Sequence, residues 1–254
     1  MTGRLEGTAA LVTGASSGIG AATAQVLAGQ GAAVAVAARR KDRLDDLVAA
    51  IDGSGGRAVA VETDVTDRQQ ATAAVERTVA ELGHLDIVIN NAGIMLLGPA
   101  VDAPIEEWDR MVALNVQGAL YVAHAAMPHL LQAAESSSRR VADLVNVSSV
   151  AGRMTRVGSA VYNLTKHGLG AFSDSLRQEV TRRHVRVSLV EPGAVITELA
   201  DHVRPEVQAA MRKRFATMER LEAEDIAEAI EYIVSRPRRM AINEVLIRPT
   251  EQEQ

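Results

Sequence analysis

Ala9-Ala10-Leu11-Val12-Thr13-Gly14-Ala15-Ser16-Ser17-Gly18-Ile19-Gly20 passes from a short apolar run through a glycine-rich turn directly into a helical pattern. Each glycine answers a steric need. Gly14 permits a sharp turn after the strand, Gly18 lets the backbone approach a pyrophosphate, and Gly20 lets the helix pack closely on the sheet. The N-terminus of the helix then faces the anion with unpaired N–H groups and a favourable dipole. Gly14, Ser16, Ser17, Gly18, Ile19 and Gly20 are therefore the expected cradle of a dinucleotide. The alternative is a turn that serves only to reverse the chain.

Working outward, short Val/Ala/Leu/Ile runs alternate with longer helical patterns, the signature of repeated βαβ units on a parallel sheet. Strands are expected at Ala9 to Thr13, Ala33 to Ala37, Ala58 to Val61, Ile87 to Asn90, Leu144 to Val147, Val185 to Val190 and Glu244 to Ile247. Helices are expected near Ile19 to Ala28, Lys41 to Ile51, Arg68 to Leu82, Ile105 to Leu131, Ala160 to Arg182 and Ala223 to Ser235. No repeat or linker divides them, so residues 1–254 are read as one α/β domain.

Composition agrees. With 254 residues, 47% of them hydrophobic, the chain can bury a sizeable core, which excludes disorder. The net charge is -5 and the basic residues are dispersed, so no nucleic-acid surface is expected. Arg182-Arg183 and Arg212-Lys213-Arg214 are read as solvated helix faces. Without cysteine there is neither a disulfide framework nor a thiolate metal site, and the six histidines lack ligand spacing, so no metal is expected. Met1 to Gly7 has no basic-then-apolar pattern, and no stretch reaches the roughly 20 apolar residues of a membrane span. A soluble, cytoplasmic protein without a membrane partner follows.

Two positions carry the coenzyme and the chemistry. About 20 residues beyond the glycine turn, an NAD-selective fold places a carboxylate against the adenosine ribose. Here the second strand ends Val36-Ala37-Ala38-Arg39-Arg40, with no acid and two guanidiniums where a 2′-phosphate would project. NADP(H) is the coenzyme expected; the alternative is that both arginines merely end a strand at the surface. Further on, Tyr162-Asn163-Leu164-Thr165-Lys166 sets a phenol and an ammonium four residues apart, on one face of a helix. The charge beneath the ring should favour its ionised form.

Gly14-x-x-x-Gly18-x-Gly20, Asn90-Asn91-Ala92-Gly93, Asn115, Ser148-Ser149, Tyr162-x-x-x-Lys166 and Pro192-Gly193 resemble, in order and spacing, the short-chain dehydrogenase/reductase family over nearly the whole chain. The resemblance implies a single-domain Rossmann fold with a doubly wound, seven-stranded parallel sheet flanked by helices. It also implies hydride exchange between NADP(H) and a carbonyl or alcohol, with Tyr162 as general acid/base and Lys166 below it. In the family the lysine also holds the nicotinamide ribose. Ser149, thirteen positions before Tyr162, would bond the substrate oxygen in preference to Ser148, and Asn115 would support a proton-conducting water chain. Acid–base work near neutrality would need the phenol to titrate roughly 2 to 3 pH units below its usual value of about 10.

By the same resemblance, Asp64 and Val65 would meet the adenine, unless Asp64 simply caps the next helix. Asn91, Ala92 and Gly93 would steady the sheet beside the coenzyme. Pro192, Gly193, Val195 and Thr197 would receive the nicotinamide carboxamide. Thr197 to Leu221 lies above the carboxyl ends of the strands and is the expected substrate lid, whereas Glu135 to Arg140 reads as a surface turn. Met95, Leu96, Met154, Val157, Leu199 and Val203 are the expected apolar wall. Arg153 or Arg156 either meets an acidic group on the substrate or faces solvent. The C-terminal run Ile242 to Thr250 lacks the family's usual glycine-rich segment. With Ala92 to Pro99, Leu176 to Val180 and Glu191-Pro192-Gly193, it is similar to a branch that includes clavulanate-aldehyde reductase and NADP-dependent hydroxy-acid dehydrogenases. The resemblance further implies a homotetramer packed through the two long central helices. A catalytically silent NADP(H)-sensing or scaffold protein is the competing class, against which stands the retention of Asn115, Ser149, Tyr162 and Lys166.

Overall fold

Small and β-branched apolar residues, which suit a sheet covered on both faces, form seven strands in a computed structural model that describes residues 3–214 and 216–253, apart from the side chains of Arg212 and Arg214. The strands are β1 (Ala9–Thr13), β2 (Ala33–Ala38), β3 (Arg57–Glu62), β4 (Ile87–Asn90), β5 (Ala142–Val147), β6 (Val185–Pro192) and β7 (Glu244–Ile247). All neighbours pair in parallel in the order β3-β2-β1-β4-β5-β6-β7. The parallel sheet expected from the alternating pattern, doubly wound as the family resemblance implies, is thus observed, and its strand order reverses between β1 and β4.

Period-two alternation divides the strands between two cores. Ala10, Val12, Val34, Val36, Ile87 and Ile89 pack under α1 (Gly18–Gly29), α2 (Lys41–Gly53) and α8 (Ala223–Val234). Ala9, Leu11, Ala35, Ala37, Val88 and Leu144 pack under α3 (Arg68–Leu82), α5 (Ala119–Ser136) and α6 (Ala160–Val180). Successive side chains on a strand point to opposite faces, so β1 to β6 serve both cores, whereas the edge strand β7 turns Val245 and Ile247 to the first core and exposes Glu244 and Leu246.

Two expectations need correction. The helix expected over Ile105 to Leu131 is interrupted: α4 (Ile105–Val112) passes into a wide π-type turn, Ala113–Gly118, before α5 begins. The cause is Asn115, whose amide leaves the helix to bond the backbone of Ile94. The surface turn starts later than Glu135, because α5 runs to Ser136 and the chain then reverses through Arg140 at φ +54°. The segment 197–221 contains a 3-10 turn, Glu198–His202, and α7 (Pro205–Arg214). Its ends are tied by a parallel bridge between Val195 and Leu221. Lys213 is exposed, while the other two side chains of the Arg212-Lys213-Arg214 cluster lie outside the described residues.

At the amino ends of the strands lies a charged group that the sequence did not announce. Asp143, fully buried on β5, accepts two bonds from Arg186 on β6, at 2.7 and 3.0 Å, and one from Arg139 at 2.9 Å. Arg186 also donates to the carbonyls of Val234, Arg236 and Met240, tying the end of α8 to the sheet.

Candidate active site

A cleft of about 1630 Å3 opens at the carboxyl ends of the strands, above the reversal in strand order. Ligands of open α/β sheets bind at such a point. Gly14, Ser16, Ser17, Gly18 and Ile19 line it. Gly14 has φ +65°, and a Cβ there would stand 2.8 Å from the Ala92 backbone, so both conformation and space demand glycine. Gly20 does not line the cleft. A Cβ on it would stand 2.4 Å from the Gly14 carbonyl oxygen, and the residue serves close packing of α1 beneath the loop.

The loop after β4 locks this turn in place. Thr13 Oγ1 accepts the N–H groups of Asn91 and Ala92 at 3.1 and 3.2 Å, and Asn91 Nδ2 donates to the carbonyls of Thr13 and Gly14. Asn91, Ala92 and Gly93 all line the cleft, as do Asp64, Val65, Pro192, Gly193, Val195 and Thr197. Asp64 does not cap α3. That is done by Asp67, which accepts from Gln69 and Gln70, whereas Asp64 Oδ1 closes a turn on Thr66.

The two arginines after β2 are not equivalent. Arg40 lies on the glycine loop, donating to Ser16 Oγ through Nε at 3.1 Å and to the hydroxyls of Ser16 and Ser17 through Nη2 at 2.9 Å. Arg39 is exposed at the rim. A glycine-walled turn, a helix N-terminus and a fixed guanidinium make a set of donors suited to a dinucleotide bearing an extra phosphate.

Tyr162, Lys166 and Ser149 converge on the other side of the cleft. The Tyr162 ring is only 6% exposed, packed in an apolar cluster with Ile94, Leu96 and Met111. Its hydroxyl lies close enough to Ser149 for the serine to favour the ionised phenol. Lys166 Nζ lies 5.8 Å from the ring centroid and donates to the Val147 carbonyl at 3.0 Å. Ser148 turns away, donating to the Lys166 carbonyl, which leaves Ser149 as the serine that meets the phenol.

Asn115 does not line the cleft. Buried behind it, its side chain accepts from Ile94 N at 2.7 Å and donates to Ile94 O at 2.8 Å and to Thr165 Oγ1 at 3.2 Å. The π-type turn and α6 are thereby joined directly beneath Gly93, where a Cβ would stand 3.3 Å from Asn115 Oδ1 and 3.8 Å from Lys166 Nζ.

The electrostatics run against one expectation. Burial pushes the Tyr162 phenol up to about 12, and the Ser149 side chain opposes this only in part. Burial likewise pushes the Lys166 ammonium down to about 8. In this apolar pocket desolvation outweighs the attraction between phenolate and ammonium, so the protein alone holds Tyr162 as a neutral acid.

Met95, Met154, Val157 and Leu199 line the cleft as expected, but Leu96 and Val203 are buried behind its wall. Arg153 is also outside it. Its Nε donates to both oxygens of buried Glu191, at 2.9 and 2.8 Å, and its Nη2 bonds Glu244, so it joins β6 to β7. Arg156 does line the cleft. Sequence reasoning passed over Asn163, whose Nδ2 donates to the carbonyls of Ala151 and Met154 and holds the loop between Ser149 and Tyr162. Its place inside the Tyr-x-x-x-Lys pentad was the available signal.

Residues 8–208 match the family model for short chain dehydrogenases. The chain belongs to the short-chain dehydrogenase family and is an oxidoreductase of that type. It is 37% identical over 253 residues to a glycine betaine reductase of Emericella nidulans, covering 98% of this chain but 19% of that much longer protein. It is 34% identical over 240 residues to an uncharacterized oxidoreductase of Staphylococcus aureus, covering 94% of this chain and 96% of the relative. The closed form of a serine dehydrogenase complexed with NADP+ superposes with a TM-score of 0.86 at 30% identity, covering 97% of both chains.

Proposed function

We propose that this protein interconverts a carbonyl, aldehyde or ketone, and an alcohol with NADP(H) as coenzyme and Tyr162 as proton donor and acceptor. The observation that carries the reading is the Tyr162–Ser149–Lys166 group, set in the same cleft as the glycine loop and Arg40. Gly14, Ser16, Ser17, Gly18 and Ile19 would hold the pyrophosphate side, with Gly20 packed beneath them. Asp64 and Val65 would meet the adenine, Arg40 and Arg39 the 2′-phosphate, and Pro192, Gly193, Val195 and Thr197 the carboxamide. When bound, the reduced coenzyme supplies the hydride.

The chain's own residues manage the oxygen and the proton. Ser149 bonds the carbonyl oxygen and polarises it, and Tyr162 Oη–H gives that oxygen its proton as negative charge develops there. Lys166 would hold the nicotinamide ribose of the bound coenzyme, and its ammonium, 5.8 Å from the ring centroid, places a positive charge near the phenol while the proton leaves. Asn115 keeps the two helical segments in register and supports the water chain that returns the proton.

This assignment fixes a pH dependence. Reduction needs Tyr162 protonated, which holds until about 12, and Lys166 charged, which fails as pH rises through about 8. The kcat/KM for carbonyl reduction should be level in the acid range and fall as pH rises through about 8. A profile that rises across that range would contradict the role given to the ammonium.

Arg40 should matter more than Arg39, being already fixed on the loop. Arg40→Ala should raise the KM for NADPH about 10- to 100-fold, the worth of hydrogen bonds to a charged group, and leave NADH nearly unchanged. Equal effects on both coenzymes, in steady-state assays, would refute the 2′-phosphate assignment.

Four methionines, Met95, Met154, Met211 and Met218, line the cleft among polar residues of the lid. Flexible thioethers adapt to carbonyl compounds of different shape. Arg156 is the proposed contact for an acidic group, consistent with reduction of small acids or of secondary metabolites in the branch named above. We further place the activity in the cytoplasm, in a homotetramer packed through α4, α5 and α6, with residues 1–254 acting as one domain and 197–221 as the lid. No helix among the described residues is long and apolar enough to cross a membrane. Consumption of NADPH against a panel of aldehydes and ketones tests the reading. Coenzyme binding without turnover of any of them would favour a silent sensor.

A further inference from the structure

Glu198 opens the 3-10 turn Glu198–His202, and its side chain reaches back over the mouth of the cleft to the end of β2. One carboxylate oxygen accepts from Arg40 Nη1 at 2.9 Å and the other from Arg43 Nη1 at 2.5 Å. Arg40 also donates to Ser16 and Ser17 through Nε and Nη2. The guanidinium assigned to the 2′-phosphate therefore carries an internal anion. The two arginines hold Glu198 near 2, well below the usual carboxylate range, so it stays ionised at every working pH. The preceding residue is seated on the same loop: Thr197 Cγ2 lies 3.0 Å from where a Cβ on Gly18 would stand.

We infer that Glu198 competes with the coenzyme 2′-phosphate for Arg40, so that discrimination between the two dinucleotides is set by the lid as well as by the arginines. The inference rests on the NADP(H) reading above. A phosphate brings roughly -1.5 to -2 charges and three acceptor oxygens against one charge and two. The Glu198 and Arg40 side chains are each 41% exposed, so their ion pair is weak enough to be exchanged. A phosphate that takes Arg40 releases the start of the lid, because Glu198 loses one of its two anchors. A dinucleotide without that phosphate leaves Glu198 in place.

The test is calorimetric titration of the intact wild-type chain and of Glu198→Gln with adenosine 2′,5′-bisphosphate and with 5′-AMP. Neither ligand carries nicotinamide, so turnover plays no part. Glu198→Gln should bind the bisphosphate about fivefold tighter, the scale of partly exposed ion pairs, with 5′-AMP unchanged. The gain should shrink as salt rises. In the wild-type chain, amide exchange at residues 199–203 should quicken with the bisphosphate and not with 5′-AMP. Unchanged or weaker bisphosphate binding by Glu198→Gln, or amides equally protected with both ligands, overturns the competition while leaving the coenzyme assignment intact. A wild-type chain that does not prefer the bisphosphate to 5′-AMP overturns the NADP(H) reading itself.

Discussion

Tyr162→Phe should lower carbonyl reduction about 10³-fold, within the range for a lost general acid, while coenzyme still binds with its normal affinity. A factor of that size is about 4 kcal/mol of transition-state stabilisation. The loss should be confined to chemistry. Phenylalanine fills the same space among Ile94, Leu96 and Met111, and Ser149 keeps its bond from the Ala151 N–H. Removing a buried hydroxyl leaves no charge stranded, so thermal unfolding should hardly move. Steady-state rates and a coenzyme titration on the same preparation separate the two effects. Full turnover by the phenylalanine variant would dismiss Tyr162 as the acid, and loss of folding would show that the hydroxyl was structural.

The second large effect lies at the far end of the sheet. Asp143→Ala removes the carboxylate shared by Arg186 and Arg139 and leaves buried guanidinium groups without their counter-charge. Arg186 is 6% exposed. Breaking a buried pair from one side costs about 3 to 5 kcal/mol, which for a chain of this size lowers the unfolding temperature by roughly 10 °C. The triple change Asp143→Leu with Arg186→Met and Arg139→Met should recover much of that loss, because the charge is removed together with both of its partners. Thermal unfolding followed by circular dichroism checks both. A single variant as stable as the wild type would mean that water reaches the network.

The contrast between these two sites marks what can be read from a chain like this one. Local signals carried the fold: β1 and β4 occupy the residues expected from their apolar runs, because parallel strands covered on both faces are apolar throughout, and β7 does so as a half-exposed edge strand. Tyr162 and Lys166 were legible because their spacing places them on one helical face whatever surrounds them. Asn115 was legible as a residue but not as a structure. Its bonds to Ile94 join positions 21 apart, and only the folded chain reveals that they widen a helical turn. The Asp143–Arg186 pair spans 43 residues, and Glu198 reaches Arg40 across 158. No local pattern encodes such partners.

In the protein alone the Tyr162 phenol is shifted upward, opposite to what Lys166 by itself suggests, for a related reason. Spacing announces the nearby ammonium, but the apolar cluster that desolvates the ring is assembled from α4, α6 and the loop after β4. Arg153 shows the same limit. In sequence it stood equal with Arg156 as a substrate contact, and in the fold it is consumed by Glu191 and Glu244.

The most direct measurement is a crystal structure of the protein with NADP(H) bound. The account predicts the Tyr162 hydroxyl beside the hydride-bearing carbon of the nicotinamide, with Ser149 within hydrogen-bond reach and Lys166 on the ribose. A phenol turned away from that carbon into the cluster of Ile94 and Met111, or a nicotinamide on the opposite side of the cleft, would contradict it.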